Sequence, residues 1–450
     1  MTKFRFVAPF MVVMLLLTAC PAGGDGDGDG GGGAASPGDA GGDGGGGAEG
    51  DGSIEVTSLW GGAEATAFEA VLAAFTEESG IDVEYTSVRQ DYATVLNNRL
   101  AQDDPPDVAI IPGIGFLRSF ARDDLLIPLA DLGIDRAAIE ENYAPGILDI
   151  GAVNDELVAL MVKFNSKSTI WYKPDSFEEN GWEVPTTWED LLALTDQIKA
   201  DGSTPWAVGA GDSWTLTDWF ESIYLRQAGE EAYDTLFGPE GNWTDPSVAE
   251  AITTMTEIIN EENVAGGIDG ALATLFVDGI GLVFSESAEA ELYYEGGFVG
   301  GIATGDVNPD LEIGTGIDWF DFPPIDGGGE GAITIGGDVM AAFVNDSDVA
   351  AFMEYMTTPE AGQTWAEQGT IISPIRGVDS SVYPNELAQK EAEQAANASV
   401  VRFDGSDLLP AGTDLGAVLQ TGIQDPDGVS GALENFQSEV EAAWQEEQGG

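Results

Sequence analysis

The sequence contains no histidine, a single cysteine and very few basic residues. Its 450 residues include 15 Lys and Arg against 80 Asp and Glu, which gives a formal net charge of -65 at pH 7. The lack of imidazole excludes Ser-His-Asp and Cys-His catalytic triads and histidine-ligated zinc sites, and one cysteine cannot form an internal disulfide. So large a negative charge is repelled by nucleic acid phosphates and by anionic membrane surfaces. These absences exclude ordinary nucleic-acid binders and most familiar enzyme classes.

The composition is nevertheless that of a folded chain. Hydrophobic residues make up 43% and aromatic residues 9% of the sequence, which is too apolar for a disordered acidic protein. At roughly 150 residues per domain, the length allows up to three domains. The acidic excess has two interpretations, a solvated surface that maintains solubility or an adaptation to concentrated salt, which screens repulsion between carboxylates. Both interpretations concern the habitat of the protein more than its activity.

The first twenty residues predict export. Lys3 and Arg5 precede an apolar run over residues 7–17, which has the length of a signal peptide and is too short to span a bilayer. The run closes with Leu-Thr-Ala at residues 17–19 and then Cys20, a pattern that resembles the bacterial lipoprotein signal. That resemblance implies lipidation of Cys20 and a protein anchored to the outer face of the cell membrane.

Residues 21–52 predict a flexible linker. This segment is almost entirely Gly, Asp and Ala, with no aromatic and no β-branched residue. It cannot bury a core and should behave as a coil with a root-mean-square reach of about 30 Å. No later segment reaches 18 uncharged apolar residues, so we expect the chain to contact the membrane only through its lipid anchor.

Strand patterns alternate with helix patterns after the linker. Strands are predicted at residues 54–59, 81–85 and 107–111, and the helices between them repeat apolar residues at helical spacing. The first helix is predicted to stop at Gly80, and a later one to begin after Thr187 with a capping box. The βαβαβ order predicts an α/β fold with a mainly parallel sheet covered on both faces. Ligands of such sheets bind outside the carboxyl ends of the strands.

Candidate ligand-binding residues follow two of these strands. Trp60 and Glu64 follow the first strand, and Gly113 follows the third, where glycine allows close approach of a ligand to the backbone. No P-loop and no GxGxxG motif follows a strand here, which disfavours nucleotide binding. Trp214 and Asp218 lie in a later stretch rich in aromatic and short polar residues. That composition favours sugar recognition, because pyranose faces stack on rings while hydroxyls need fixed donors and acceptors.

Several segments in a fixed order resemble family 1 of the bacterial extracellular solute-binding proteins. These are the substrate-capturing lipoproteins of ABC importers, and the chain is most similar to their carbohydrate branch, which includes α-glucoside binders. The matching segments are residues 60–64, 106–108, 164–173, 185–189, 214–226, 336–338 and 359–374. One segment departs from the family, because Glu286-Ser287-Ala288 stands where many members have Gly-Ser-Trp. An aromatic platform usual in that lobe therefore cannot be assumed.

The resemblance implies a two-lobed periplasmic binding protein type II fold, each lobe a mainly parallel sheet flanked by helices. By this analogy, the N-terminal lobe comprises residues 53–162 and 323–370, and the C-terminal lobe comprises residues 163–322 and 371–450. Ligand contacts from both lobes would favour a closed form that the transporter recognises.

The resemblance also implies which residues bind the ligand. Glu64, Asp218 and Asp338 would accept sugar hydroxyls, while Trp60 and Trp214 would stack on the sugar. From the residues alone, Trp60 could serve ordinary packing and Asp338 could be a turn residue. Asn165 could equally bind the ligand or fix the hinge. The other predicted ligand-binding residues are Gly113, Asn165, Trp319 and Arg376.

Together these observations predict the substrate-binding component of an ABC importer that delivers a neutral carbohydrate, an oligosaccharide or an α-glucoside, to the membrane permease. A polyamine or other small cation is the alternative ligand, because carboxylates and aromatic faces also form cation sites. An exported glycosidase using two carboxylates is the alternative of another class. We expect a monomer with no catalytic residue, no metal, no cofactor and no nucleic-acid partner.

Overall fold

The computed structural model describes residues 48–449 except residues 112, 144–145, 155 and 370. The predicted signal peptide, Cys20 and most of the predicted linker lie outside the described residues. The strands are β1 (Ser53–Ser58), β2 (Asp82–Ser87), β3 (Val108–Ile111), β4 (Ala152–Val153), β5 (Glu156–Leu157), β6 (Ala159–Met161), β7 (Asn165–Ser166), β8 (Thr169–Tyr172), β9 (Trp206–Ala207), β10 (Leu292–Glu295), β11 (Asp318–Asp321), β12 (Ala332–Gly336), β13 (Val339–Ala342) and β14 (Val400–Phe403).

Helices connect most of these strands. They are α1 (Ala63–Ser79), α2 (Tyr92–Leu100), α3 (Ile114–Arg122), α4 (Arg136–Ile139), α5 (Ile147–Ile150), α6 (Pro174–Asn180), α7 (Trp188–Ala200), α8 (Trp214–Ala228), α9 (Glu230–Leu236), α10 (Pro246–Ile258), α11 (Gly267–Ala273), α12 (Phe276–Phe284), α13 (Phe298–Ile302), α14 (Ser347–Tyr355), α15 (Pro359–Ala366), α16 (Glu386–Asn397), α17 (Gly405–Leu408), α18 (Leu415–Gln424) and α19 (Val429–Gly449).

The first sheet forms the centre of one lobe. Its strand order is β2-β1-β3-β13-β6, and β1 runs parallel to β2 and β3, as the βαβαβ pattern predicts. Strand β13 runs antiparallel to both β3 and β6, so this sheet is mixed rather than mainly parallel. Helix α1 packs on this sheet through Phe68 and Phe75, whose rings contact Trp365 of α15 and Phe352 of α14. The helix ends at Gly80, whose φ of 75° lies in the left-handed region that favours glycine. The predicted end of this helix is confirmed.

The second sheet forms the centre of the other lobe. Its strand order is β11-β8-β10-β9, with β10 parallel to β9 but β8 antiparallel to both β10 and β11. This sheet is therefore mixed rather than mainly parallel. Strand β8 begins at the edge where β10 and β11 end, so it runs in the opposite direction to both. Helix α8 is the central helix of this lobe, since residues 215–226 are all buried.

A small connecting sheet, with strand order β14-β12-β7, joins the two lobes. Residues 162–168 run from the end of β6 through β7 to the start of β8. Strand β12 contributes Ala332 to the core of the second lobe and Ile333 to the core of the first, and β14 contributes to both cores as well. Both strands therefore belong to the connection between lobes. The predicted lobe boundaries near residues 322 and 370 stay predictions.

A side chain at Gly337, between β12 and β13, would collide with this connection. A Cβ there would overlap the carbonyl oxygen of Lys163 and lie 3.0 Å from the Cα of Phe164, which are both backbone atoms. We expect Gly337→Ala to lower the free energy of unfolding by about 1–3 kcal/mol in urea titrations. Gly281→Ala is the matched control: its Cβ meets open space inside α12, so stability should stay level or rise by up to about 1 kcal/mol. Equal losses in the two variants would contradict this account.

Among the described residues, no single helix is both long and apolar enough to cross a membrane. Taken together as a pair that bends by 120°, Gly267–Ala273 and Phe276–Phe284 do satisfy the criteria of length and composition.

Candidate ligand-binding site

The connecting residues bring one edge of each sheet together. In the first sheet, β3 and β6 end where β13 begins, because Ile111 and Met161 both pair with Val339. In the second sheet, β10 and β11 end where β8 begins, because their last residues both pair with Thr169. Residues 162–168 join these two edges directly, and an extended chain spans at most about 3.5 Å per residue. Both edges therefore lie at the ends of this short connection, and such edges are where α/β sheets bind ligands.

Lys163 organises the edge of the first lobe. Its Nζ lies 2.6 Å from Glu64 Oε1, 3.5 Å from Asp338 Oδ2 and 4.7 Å from the centre of the Trp60 ring. Trp60 Nε1 donates to the same Asp338 oxygen at 2.7 Å. Burial disfavours the charge on Lys163, but the two carboxylates outweigh burial and raise its pKa above the ordinary value. Three predicted site residues thus surround one lysine, and we call this group the first-lobe cluster.

Trp60 has a positioning role in this cluster. Its side chain is only 2% exposed, and its ring packs against Phe68 and Trp365 as well as against the Lys163 ammonium. The indole N–H therefore fixes one oxygen of Asp338 toward the site. Stacking of Trp60 on a sugar stays a prediction.

Lys167 organises the edge of the second lobe. Its Nζ lies 3.0 Å from Asp218 Oδ1 and donates to Asp404 Oδ2, and it lies 5.3 Å from the centre of the Trp214 ring. Burial disfavours the ammonium charge, but Asp218, Asp404 and Asp407 outweigh burial and raise the pKa of Lys167 well above its ordinary value. We call Lys167 and these three carboxyls, with Glu221 and Glu295, the second-lobe cluster.

The second-lobe cluster holds more carboxyls than one ammonium can balance. Burial raises the pKa of Asp218 to about 6, and it raises the pKa values of Glu221, Glu295 and Asp407 well above their usual range. Asp404 is the exception: burial opposes its charge, but Lys167 outweighs burial and lowers its pKa. Protons therefore remain on part of this cluster at a pH where exposed carboxyls have lost theirs.

Asp218 and Glu295 have unsatisfied oxygens at the bottom of this cluster. Both side chains are fully buried, and neither Asp218 Oδ2 nor either carboxyl oxygen of Glu295 has a hydrogen-bond donor among the described residues. A proton on Glu295 that is donated to Asp218 satisfies both groups, whereas two ionised carboxylates here would repel each other. Burial and the neighbouring Asp218 carboxyl thus raise the pKa of Glu295 well above its usual range, which favours a proton on this pair.

A metal ion does not fit this cluster well. One oxygen from each of Asp218, Glu221 and Asp404 lies within 4.8 Å of the others. However, Lys167 already donates to two of these carboxylates, and Glu221 accepts from the backbone N–H groups of Gly405 and Ser406. The ammonium and the backbone donors thus take the positions that a cation would need.

Residues 61–363 match the family model described as bacterial extracellular solute-binding protein. The chain belongs to this family. The resemblance predicted from the sequence is confirmed, and the protein is an extracytoplasmic solute-binding component of an ABC transporter.

Relatives of this solute-binding protein cover most of the chain. The osmoprotective compounds-binding protein GgtB of Synechocystis sp. is 34% identical over 360 residues, which are 79% of this chain and 84% of that protein. The alpha-glucosides-binding periplasmic protein AglE of Rhizobium meliloti is 33% identical over 381 residues, 81% of each chain. Among solved structures, the bacterial solute receptor AcbH matches with a TM-score of 0.74 at 18% identity, covering 87% of this chain and 99% of that one. The predicted two-lobed α/β fold is confirmed.

Three other predicted ligand-binding residues, Gly113, Asn165 and Arg376, differ in what they contact. Gly113 adjoins the second-lobe cluster, because a Cβ on it would lie 3.6 Å from Asp407 Oδ1. Asn165, in β7 of the connecting sheet, donates to Glu391 Oε1 of α16 at 3.3 Å. Arg376 is exposed, and its backbone N–H donates to the carbonyl oxygen of Asn142 on the first lobe. These hydrogen bonds of Asn165 and Arg376 are made to other residues of the protein, so they indicate a structural role.

Trp319 lies in a hydrophobic core. Its side chain is 1% exposed and contacts Trp171, and its Nε1 donates to the carbonyl oxygen of Leu387. A ligand contact by Trp319 stays a prediction that none of these contacts supports.

Lys163, Lys167 and the carboxyls of Asp404 and Asp407 were not predicted from the sequence. A signal for the lysines was present, because Lys163 and Lys167 are two of only 15 basic residues and lie in a largely apolar stretch. An uncompensated ammonium in such a stretch requires buried carboxylate partners. No local signal indicates Asp404, which lies 237 residues from Lys167 in the chain.

Proposed function

We propose that this solute-binding protein captures a neutral carbohydrate, an oligosaccharide or an α-glucoside, between its lobes and delivers it to the permease of an ABC importer. The observation that carries the proposal is the pair of lysine-centred clusters on the two sheet edges. The first-lobe cluster offers the partly exposed Glu64 carboxylate, and the second-lobe cluster holds the Lys167 ammonium in a fixed position. Fixed acceptors and donors of this kind are what sugar hydroxyls require. The half-exposed ring of Trp214 beside Lys167 adds an apolar surface for a sugar face.

The charge arrangement favours a neutral ligand over a polyamine. Glu64 and Asp338 are already paired with Lys163, and Asp218 and Asp404 with Lys167. A cationic ligand would have to displace Lys163 or Lys167 from these carboxylates. Each of these ammonium groups is part of the protein and is already desolvated. The names of the relatives GgtB and AglE support a small organic solute rather than a reaction substrate. A glycosidase is the alternative of another class, and release of reducing sugar by the purified protein would establish it.

We further propose that Cys20 carries the lipid anchor, that the folded part acts as a monomer, and that ligand closes the lobes about residues 162–168. Closure would follow from contacts that the ligand makes with both clusters at once. The predicted lobe assignments belong to this proposal.

A thermal-denaturation panel tests the proposed ligand class. The panel contains methyl α-D-glucopyranoside, maltose, trehalose, sucrose and maltotriose, with spermidine as the cationic competitor. A sugar at about 100 times its Kd should stabilise the folded protein by about 2.7 kcal/mol and raise Tm, and the shift should persist in 1 M NaCl. A shift with spermidine alone that disappears in salt would contradict the proposal.

A further inference from the structure

Two buried charged side chains of α8 hold strands of the connecting sheet. Arg226 is 3% exposed and donates to the carbonyl oxygen of Ala332, the first residue of β12, at 2.7 Å. Glu221 is 0% exposed and accepts the backbone N–H groups of Gly405 and Ser406, the second and third residues after β14, at 2.9 Å each. Because α8 is the central helix of the second lobe, both strands are attached to that lobe.

A third buried charged side chain, Glu391 of α16, holds β7. Glu391 is 4% exposed and accepts the Ser166 N–H at 2.8 Å. The carbonyl oxygen of Ser166 accepts the N–H of Gly297, which lies between β10 and α13 of the second lobe, at 2.9 Å. Helix α16 is itself bound to β11 of the second sheet, since Lys390 Nζ lies 2.9 Å from Asp318 Oδ1. Strand β7 is therefore attached to the second lobe by both of its Ser166 backbone groups.

The contacts of the connecting sheet with the first lobe are of a different kind. Ile333 and Ile335 of β12, Phe403 of β14 and Ala388 of α16 lie in the first core, and apolar contacts have no fixed direction. A hydrogen bond to a buried charged group is directional, and breaking it leaves that group without a partner at a high cost. The connecting sheet can therefore move against the first lobe more easily than against the second.

Two chain junctions separate the connecting sheet from the first lobe. Phe164 exchanges two backbone hydrogen bonds with Ile372, and both residues lie in the first core, whereas the next residue, Asn165, belongs to β7. Gly337 packs against the same part of the first lobe, because a Cβ on it would lie 3.0 Å from the Cα of Phe164. Gly336, however, pairs with Asn165 in the connecting sheet. Residues at the ends of elements absorb the backbone rotation of a hinge, and consecutive glycines allow it easily.

The third crossing has its junction just before α16. Tyr383 lies in the first core. Asn385 caps α16, because its side chain accepts the N–H of Ala388 at 3.0 Å. A single residue thus separates the first core from the start of the helix that carries Glu391.

We propose that Glu221, Arg226 and Glu391 are positioning residues that make the connecting sheet a rigid part of the second lobe. The inference rests on the proposed function and narrows the movement on ligand binding to the three junctions between this sheet and the first lobe. Lys163 then moves with the first lobe and Lys167 with the second. Each lysine-centred cluster keeps its own contacts while the ligand brings the two clusters together.

Distances between spin labels, measured by pulsed electron paramagnetic resonance, test this assignment. In the full chain with Cys20→Ser, labels are attached in pairs through Val95→Cys on α2, Val184→Cys in the second lobe and Val401→Cys on β14, which are exposed positions. Maltose, or the sugar of the panel that raises Tm most, should change the 95–184 and 95–401 distances by more than about 2 Å. The 184–401 distance should stay within about 1 Å of its value without sugar.

The variant Glu391→Leu tests the positioning role by its effect on affinity. Leucine leaves the Ser166 N–H without its acceptor, so β7 loosens and binding must order it again. The Kd for the same sugar, measured by calorimetric titration, should rise by at least about 5-fold. Glu391→Gln keeps an acceptor and should bind like the wild type. Glu393→Leu, at an exposed position of the same helix, is the matched control and should also leave the Kd unchanged.

The outcomes separate this inference from the proposed function. A 184–401 distance that changes with sugar as much as the 95–401 distance would overturn the rigid attachment while leaving carbohydrate capture intact. An unchanged Kd in a folded Glu391→Leu protein would also overturn it. Failure of every sugar in the panel to bind the wild type would overturn the proposed function and this inference with it. If Glu391→Leu does not fold, the label distances decide the inference.

Discussion

Replacement of Lys167 by methionine is expected to lower the free energy of unfolding by about 3–5 kcal/mol. The lysine side chain is 13% exposed, while those of its partners Asp218 and Asp404 are 0% and 3% exposed. Methionine fills a similar volume but leaves these carboxylates buried without a cation, and breaking one side of a buried ion pair typically costs this much. Urea unfolding followed by tryptophan fluorescence and circular dichroism measures the loss.

Lys199→Met is the matched control for this prediction. Lys199 pairs with Asp196 and Glu262, whose side chains are 78% and 86% exposed, so its loss should change stability by no more than about 1 kcal/mol. A triple variant, Lys167→Met with Asp218→Asn and Asp404→Asn, should recover part of the loss because the unpaired charges are gone. Lys167→Met and Lys199→Met proteins of equal stability would refute the account of the second-lobe cluster.

Stability is expected to fall as the pH rises from 5 to 8, with Glu391 alone contributing about 2–3 kcal/mol. Burial raises the pKa of Glu391 from 4.5 to about 7, so between these values the folded state keeps a proton that the unfolded state has lost. Each pH unit in this window then costs about 1.4 kcal/mol. The raised pKa values of Asp218, Glu221, Glu295 and Asp407 act in the same direction.

Urea unfolding at several pH values in 1 M NaCl measures this dependence, because salt screens repulsion among the exposed carboxylates and leaves the buried groups. In Glu391→Gln the fall should be smaller by about 2–3 kcal/mol, since glutamine can still accept the Ser166 N–H that Glu391 accepts at 2.8 Å. Glu179→Gln, on the exposed side of α6, should retain the wild-type dependence. A wild-type protein whose stability is flat or rises over this range would rule out the proposed proton retention.

The two lysine-centred clusters differ in their exposure. The first-lobe cluster is partly exposed, since the Glu64 side chain is 45% exposed. The carboxyls of the second-lobe cluster lie deeper and hold Lys167 beside Trp214. This arrangement holds one ammonium donor 5.3 Å from the centre of the half-exposed Trp214 ring. Under the proposed function, a ligand that spans both clusters would have polar contacts with Glu64 and Lys167 and an apolar contact with that ring.

Local features of the fold could be predicted from the sequence because they depend on neighbouring residues. The end of α1 at Gly80 follows from a backbone conformation that glycine adopts most easily. The start of α7 follows from the Thr187 hydroxyl, which accepts the N–H of Asp190. The parallel pairing of β1 with β2 and β3 follows from the βαβαβ order. The antiparallel entry of β8 was not predictable in this way, because the connecting sheet determines its direction.

The site required information that no short segment carries. The burial of Trp60 and Trp319 depends on rings contributed by distant elements. The position of Asp338 beside Trp60 depends on β13 running antiparallel to β3.

The sequence by itself determined that this chain is an exported α/β protein of a solute-binding family. It also determined that the chain has acidic and aromatic side chains but no histidine for catalysis or metal binding. Only the tertiary structure decided which carboxyls meet the two lysines, because Lys163 and Glu64 are 99 residues apart and Lys167 and Asp404 are 237 residues apart. Among 80 acidic residues, charge and composition cannot distinguish these few from the rest. Burial at the two sheet edges distinguishes these carboxyls, because a desolvated charge without a partner is too costly to keep there.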